Sequence, residues 1–316
     1  MNKAILHDPT EKVWLDFGKP IKVFQTSKSE EVLPILERVE EYVYKKGFYA
    51  AGFLSYEASS AFDSALTTFP SNEFPLICFG IFNQPKRFSK FENVKDFQNL
   101  SHLTCSEHSK STGLQDLNLQ LPFSKKQYKK QLAKVRNYIH IGDTYQVNFT
   151  FRQRAKFHTN PYQLFQKIGR DALYGAYLAL EDYAICSASP ELFFKVENGV
   201  IESRPMKGTI QRGRTLEEDL FFKSQLQNSQ KDRSENVMIV DMIRNDMGKI
   251  AETGTVKTPI LFEVEKHPTV WQMTSTVRAK TKASFTKILK ALYPCASITG
   301  APKIRTMEII RELENT

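Results

Sequence analysis

Two short apolar runs, 192–196 and 200–203, flank Glu197-Asn198-Gly199. Strand-forming residues on both sides of such a turn close into an antiparallel hairpin, which commits the centre of the chain to sheet. The second run leads into Ser203-Arg204-Pro205-Met206-Lys207-Gly208-Thr209. Lys207 is therefore expected on a loop just past a strand end. Glycine after it lets the backbone approach a ligand closely, and Thr209 adds a hydroxyl and an N–H. A lysine so placed serves as an ion-pair partner, or as an amine nucleophile if its pKa is lowered. The alternative is a solvated surface lysine, and the heptapeptide alone does not separate the two.

Around this hairpin, strand-like and helix-like patterns come in runs. Residues 29–46 carry Val32, Leu33, Leu36, Val39, Tyr42 and Val43 at helical spacing, with Ser29 as the expected cap. Segments 48–56 and 76–82 read as buried strands, and 83–120 as a polar surface excursion or linker. A helix is expected from Ser124 onward, stopped by Gly142. Residues 144–151 then alternate as a half-buried strand. A helix at 161–168 precedes strands at 176–180 and 183–187, which turn at Glu181-Asp182. Residues 216–247 form a long helical stretch broken once. Strands at 254–264 and 270–279 and helices at 284–292 and 304–313 complete the chain. Without regular βαβ alternation, this order specifies an α+β fold, antiparallel sheets flanked by helices. The expected division is an N-terminal region with its polar linker, 1–120, and a second region, 121–316.

Net charge is +9 over 316 residues, but the basic residues are spread along the chain, without a stripe interleaved with aromatics. Nucleic acid is not an expected partner. No apolar run reaches bilayer length, and residues 1–10 contain no apolar segment of the signal-peptide kind, so no membrane partner is expected either. Cys78, Cys105, Cys186 and Cys295 are scattered, with no CxxC pair, as in a cytoplasmic protein with reduced thiols. G-x-S-x-G, Walker A and Rossmann fingerprints are absent from the sequence.

Three further places carry candidate chemistry. Thr299-Gly300-Ala301-Pro302-Lys303 describes a helix start with proline at its first position; its free N–H groups and Lys303 form an anion site, or else an ordinary cap. Asp232 and Glu235 share a helix face, which suits magnesium or, more plainly, a solvated surface. Glu191, after Ser189-Pro190, is either a turn residue or a general acid whose pKa is raised by burial.

Taken in order, six motifs resemble the chorismate-utilising enzymes. They are Gly142-Asp143-Thr144-Tyr145-Gln146-Val147-Asn148, Ser189-Pro190-Glu191-Leu192-Phe193, Arg204-Pro205-Met206-Lys207-Gly208-Thr209, Asp232-Arg233-Ser234-Glu235-Asn236, Arg244-Asn245-Asp246-Met247-Gly248 and Ile298-Thr299-Gly300-Ala301-Pro302-Lys303. Phe53-Leu54-Ser55-Tyr56-Glu57 is a weaker match. Lys207, where anthranilate synthases usually carry alanine, and Ile298-Thr299 make the chain most similar to the aminodeoxychorismate branch. The resemblance implies conversion of chorismate and ammonia to 4-amino-4-deoxychorismate, on the route to p-aminobenzoate and folate. Ammonia would come from a glutamine amidotransferase subunit. It also implies roles: Lys207 as nucleophile, Glu191 as general acid, Glu235 as a ligand of Mg2+, and Gly208, Thr209, Gly300, Ala301 and Lys303 as substrate contacts.

The chain departs from the family in three ways. Relatives continue beyond Glu312-Leu313-Glu314-Asn315-Thr316 with strands that bring a substrate-binding tyrosine and arginine, a glycine-rich stretch and a second acidic metal ligand. The resemblance thus implies a catalytic region that is incomplete at the C-terminus, a fragment or half of a split protein; the alternatives are an anthranilate synthase component I and a non-catalytic chorismate- or amidotransferase-binding fragment. Trp271-Gln272 stands where many relatives have histidine. Leu173-Tyr174-Gly175 differs from the Pro-Phe/Tyr-Ser of a tryptophan effector pocket, so that regulation is not expected.

Overall fold

The computed structural model describes residues 1–70, 74–91, 118–157 and 160–314. Most of the polar stretch expected between 83 and 120 therefore lies outside the described residues, as does Cys105.

The chain opens with three strands, β1 (Lys3–Asp8), β2 (Val13–Gly18) and β3 (Lys22–Thr26). Helix α1 (Ser29–Glu40) then passes into a π-helical turn, Glu41–Lys45. Its buried Val32, Ile35, Leu36 and Val39 confirm the apolar stripe. Ser29 is not the cap; extended Lys28 holds that position without a side-chain hydrogen bond. Thr26 serves the helix start, donating its hydroxyl to Glu31 at 2.6 Å and accepting from the Lys28 N–H. Strands β4 (Tyr49–Leu54), β5 (Ile77–Phe82) and β6 (Lys86–Phe88) follow, with the short helix α2 (Ser59–Phe62) after β4.

Helix α3 (Lys125–His140) begins with a reciprocal capping box between Ser124 and Gln127. Just past its end, after Ile141, stands Gly142, whose φ of +82° suits glycine. Of the expected strand at 144–151, only β7 (Gln146–Val147) forms a ladder. Its partner is the two-residue strand Gly300–Ala301, too short to pair more of it. Helix α4 (Pro161–Ile168), β8 (Tyr174–Ala179), β9 (Ala184–Ser189), β10 (Leu192–Glu197), β11 (Val200–Arg204) and β12 (Met206–Gln211) come next. The β10–β11 hairpin turns through Asn198 and Gly199, both at positive φ, 50° and 74°. The long helical stretch is α5 (Leu216–Asn228) and α6 (Gln230–Gly248), broken at Ser229, which accepts from the Asp232 N–H and caps α6. Strands β13 (Lys257–Lys266) and β14 (Val270–Lys280), helices α7 (Phe285–Leu292) and α8 (Ala296–Thr299), β15 (Gly300–Ala301) and α9 (Lys303–Leu313) complete the order.

Strand β14 is the axis of the site-bearing sheet. β11 and β12 lie end to end along one of its edges, and β13 pairs along the other, all antiparallel. Helix α6 lays Ile239, Val240, Ile243 and Met247 on this sheet, against Ile201, Val277 and Ala279, with Ile288 and Leu292 of α7 closing the layer. A second sheet runs β6-β2-β1-β8-β9, and a third β3-β5-β4. Because β1 pairs with β8, the second sheet crosses the division expected at residue 120. The pairing is antiparallel throughout, as the α+β expectation required.

Lys207 does not lie on a loop. It sits inside β12, at an irregularity where the register against β14 shifts between Met206 and Thr209. Gly208, at φ +96°, makes that bulge possible. Pro302 also differs from expectation: it is extended and caps α9, not its first helical residue. The two-residue strand just before it holds the chain out of helix. Among the described residues no helix is long and apolar enough to cross a membrane.

Candidate active site

Four separate segments converge on Lys207. The bulge in β12 turns its side chain toward α8, where Nζ donates to the Ser297 carbonyl at 3.0 Å. From the end of β7, Asn148 brings its Oδ1 to 3.3 Å from the same nitrogen. The Asn148 Nδ2 donates to the Ser297 carbonyl as well. Glu191 approaches from just before β10, and Glu235 from α6; both carboxylates act on the Lys207 ammonium electrostatically. Asn148 and Ser297 had no role assigned from sequence, although both stand in or beside motifs that carried the resemblance.

Burial governs the chemistry of the pair. Loss of water pushes the Lys207 amine below its ordinary pKa, and the charges of Glu191, Glu235 and Cys295 oppose this only in part. Loss of water likewise raises Glu191, against the Ser297 side chain, the Met206 backbone N–H and the Lys207 charge. The Ser297 hydroxyl lies near this carboxyl but makes no well-aligned hydrogen bond. A half-buried lysine shifted toward neutrality beside a half-buried carboxyl shifted toward its acid form is an arrangement suited to nucleophilic attack with proton donation.

The remaining expected residues divide. Gly208 faces α6 so closely that an added Cβ would stand 2.8 Å from Asp232 Cβ. This close approach sets α6, and with it Glu235, over the bulge. The Thr209 hydroxyl donates to Gln272 Oε1 at 2.5 Å, so one member of the Trp271-Gln272 pair, which stands where many relatives have histidine, meets a residue two positions from the lysine. Its neighbour Trp271 points elsewhere, its Nε1 donating to Asp219 at 2.9 Å.

Gly300, Ala301 and Lys303 are occupied by the protein itself. A Cβ on Gly300 would lie 2.0 Å from the Gln146 carbonyl, so this glycine allows β15 to reach β7. The Ala301 carbonyl accepts from the Tyr145 N–H at 2.7 Å and from the Thr144 hydroxyl at 2.8 Å. Lys303 pairs with Asp246 at 2.7 Å and donates to Leu292 O at 3.3 Å, with its side chain only 13% exposed. Asp246 is shared with Lys249, also at 2.7 Å, so one carboxylate lies between two ammoniums.

Glu235 is 37% exposed, and its ion pair to Lys231 is loose, at 3.8 Å. Among the described residues no group of three His, Cys, Asp or Glu side chains could hold a metal ion. A single half-open carboxylate fits magnesium only in the manner that ion commonly adopts, shared with substrate oxygens and water. Beyond Asn148 lies a cavity of ≈ 300 Å³, lined in part by Tyr56, Arg152, Ile298, Ile310 and Glu314. The three described cysteines are free; Cys78 and Cys295 are buried and Cys186 is partly so.

Known proteins match this chain at two levels. Aminodeoxychorismate synthase component 1 of Salmonella typhimurium is 45% identical over 192 residues, covering 60% of this chain and 42% of that protein. Anthranilate synthase component 1 of Aquifex aeolicus is 36% identical over 197 residues, covering 61% and 40%. The chain thus spans less than half the length of these curated relatives. The crystal structure of anthranilate synthase component I from Streptococcus pneumoniae gives a TM-score of 0.69 at 22% identity, over 99% of this chain and 75% of that one, a likeness of fold. The family described as chorismate binding enzyme matches residues 1–316. With that match end to end and the fold shared, the chain belongs to the chorismate binding enzyme family.

Proposed function

We propose that this chain carries the chemistry of aminodeoxychorismate synthase component I, converting chorismate and ammonia to 4-amino-4-deoxychorismate. The observation that carries the reading is Lys207, a desolvated amine held beside an acid-shifted Glu191. The relatives named for this activity, such as the Salmonella protein at 45% identity, support it. Lys207 also favours it over anthranilate synthase, where the family resemblance places alanine.

In this reading the neutral amine of Lys207 adds to C2 of chorismate, the ring double bonds shift, and the C4 hydroxyl leaves as water with the proton of Glu191. Ammonia then adds at C4, the neutral amine is expelled from C2, and the proton shed by the new C4 ammonium returns to Glu191, so lysine and acid are both regenerated. Covalent attachment divides one difficult substitution into two allylic ones. Gly208 and Thr209, next to the nucleophile on β12, are the substrate contacts of this reading. The Gly300-Ala301 backbone takes part by fixing β7 and Asn148. Glu235 would hold magnesium, which when bound would supply charge neutralisation for the substrate carboxylate. The second region, 121–316, holds the residues with chemical roles, and 1–120 contributes strands to their support.

The same reading supplies ammonia from a glutamine amidotransferase subunit and sets the protein in the cytoplasm, with neither nucleic acid nor membrane as partner. Incubation with chorismate, magnesium and an ammonium salt, followed by mass analysis, tests it. Aminodeoxychorismate is the expected product, and anthranilate as sole product would overturn it. Lys207→Ala is expected to stop turnover without unfolding the protein.

A further inference from the structure

The Asn148 carboxamide is fixed from three sides. Its Nδ2 donates to the Ser297 carbonyl, while the residue's backbone N–H, donating to Thr299 O at 3.0 Å, holds the chain beneath it. Its Oδ1 faces Lys207 Nζ at 3.3 Å and the Gln146 amide at 3.4 Å. Reversing the amide would set its oxygen against a carbonyl and its NH2 against donors, so only one orientation satisfies every neighbour.

Lys207 Nζ makes its other hydrogen bond to that same Ser297 carbonyl, at 3.0 Å. A neutral primary amine has two N–H groups and one lone pair, in a roughly tetrahedral arrangement. Two acceptors therefore occupy both N–H groups and leave the lone pair directed away from them. An ammonium has a third N–H, for which no acceptor beyond these two is found among the described residues. The charged or titratable groups facing Nζ, Glu191, Glu235 and Cys295, act on it through space.

We propose that Asn148 is a positioning residue: with the Ser297 carbonyl it binds both N–H groups of the neutral Lys207 amine and aims the lone pair at the electrophile. This rests on the nucleophile reading above and deepens it. Asn148 neither gains nor loses a proton. It fixes the direction of attack, a matter of orientation, which can carry orders of magnitude in rate.

The test reads the amine with and without turnover. Lys207 is acylated with acetic anhydride at a series of pH values, without substrate, and quantified by mass spectrometry in the wild type, Asn148→Ala and Asn148→Asp. The isosteric carboxylate of Asn148→Asp, placed against Nζ, is expected to move the labelling midpoint up by about one pH unit. In Asn148→Ala the midpoint is expected within about half a unit of wild type, while kcat falls roughly 10- to 100-fold and KM changes little. A purely structural Asn148 would lower thermal stability without that split. An unmoved midpoint in Asn148→Asp, or wild-type kcat in Asn148→Ala, overturns the proposal alone. Wild-type turnover in Lys207→Ala would instead remove the nucleophile reading, and the proposal with it.

Discussion

Glu191 and Lys207 are displaced in opposite directions by the same loss of water, the carboxyl upward and the amine downward, while each still feels the other's charge. Their ordinary values, 4.5 and 10.5, are thereby drawn together. The productive form, neutral amine beside protonated carboxyl, holds the same single proton as the ion pair.

Activity is therefore expected to follow a bell in pH whose two limbs belong to the pair jointly. Glu191→Gln breaks that sharing. Its residual activity should rise with pH through one limb, as Lys207 loses its proton, and no longer fall at higher pH. That limb should also lie lower than any Lys207 midpoint measured with Glu191 ionised, because the lost carboxylate had been raising it. A Glu191→Gln profile that keeps both limbs would count against this pairing.

Glu235→Gln is expected to raise the magnesium concentration needed for half-maximal effect by roughly tenfold or more, since a neutral amide is a poorer ligand for a hard cation. The shift should appear both in turnover and in a thermal-shift titration of the resting protein with magnesium and chorismate. Identical titrations for variant and wild type would remove Glu235 from the metal site.

The local features of this chain were readable because they are made by neighbours in sequence. Asn198 and Gly199 specify the hairpin turn, and Ser124 and Ser284 cap their helices a few residues on. What joins the site is remote. Lys207 reaches Asn148 across 59 positions and Ser297 across 90. Nothing in the spacing of Thr299-Gly300-Ala301-Pro302-Lys303 distinguishes an anion cradle from what is found: a glycine shaped to meet Gln146 and a lysine tied to Asp246. Lys207 lies in a strand rather than a loop because β14 offers it an edge, and that pairing partner begins more than sixty positions later.

Lys303 and Asp246 form a pair with side chains only 13% and 9% exposed, so removing either partner leaves a poorly hydrated charge. Asp246→Asn strands the Lys303 ammonium and is expected to cost about 3 kcal/mol in urea unfolding. Lys303→Met should cost less, about 1–2 kcal/mol, because Asp246 keeps Lys249 at 2.7 Å. Unchanged stability in Lys303→Met together with weaker chorismate binding would return Lys303 to the substrate.

Gly208→Ala tests the bulge beside the nucleophile. At φ +96°, with Asp232 Cβ 2.8 Å from the new methyl, both the backbone and α6 must give way. A loss of roughly 1–3 kcal/mol is expected, with turnover falling further than stability because Lys207 and Glu235 move apart. Equal stability and turnover to wild type would show the bulge to be dispensable.

Burial draws the Glu314 carboxyl toward neutral pH. Its carboxyl accepts from the Thr150 N–H at 2.6 Å, but burial outweighs this bond and raises its pKa from 4.5 to about 7. The folded state thus holds this proton more tightly than the unfolded chain does. The resulting stability is fully present below pH 4.5 and is lost as pH rises through about 7. Partial exposure to solvent reduces the effect to of order 1 kcal/mol. Glu314→Gln, which cannot ionise, is expected to abolish this decline, so that the unfolding midpoints of variant and wild type agree near pH 4.5 and diverge in favour of the variant by pH 8. Parallel curves across that range would mean that the Glu314 carboxylate is as well accommodated folded as unfolded, with the Thr150 N–H and nearby Arg152 making up for its lost water.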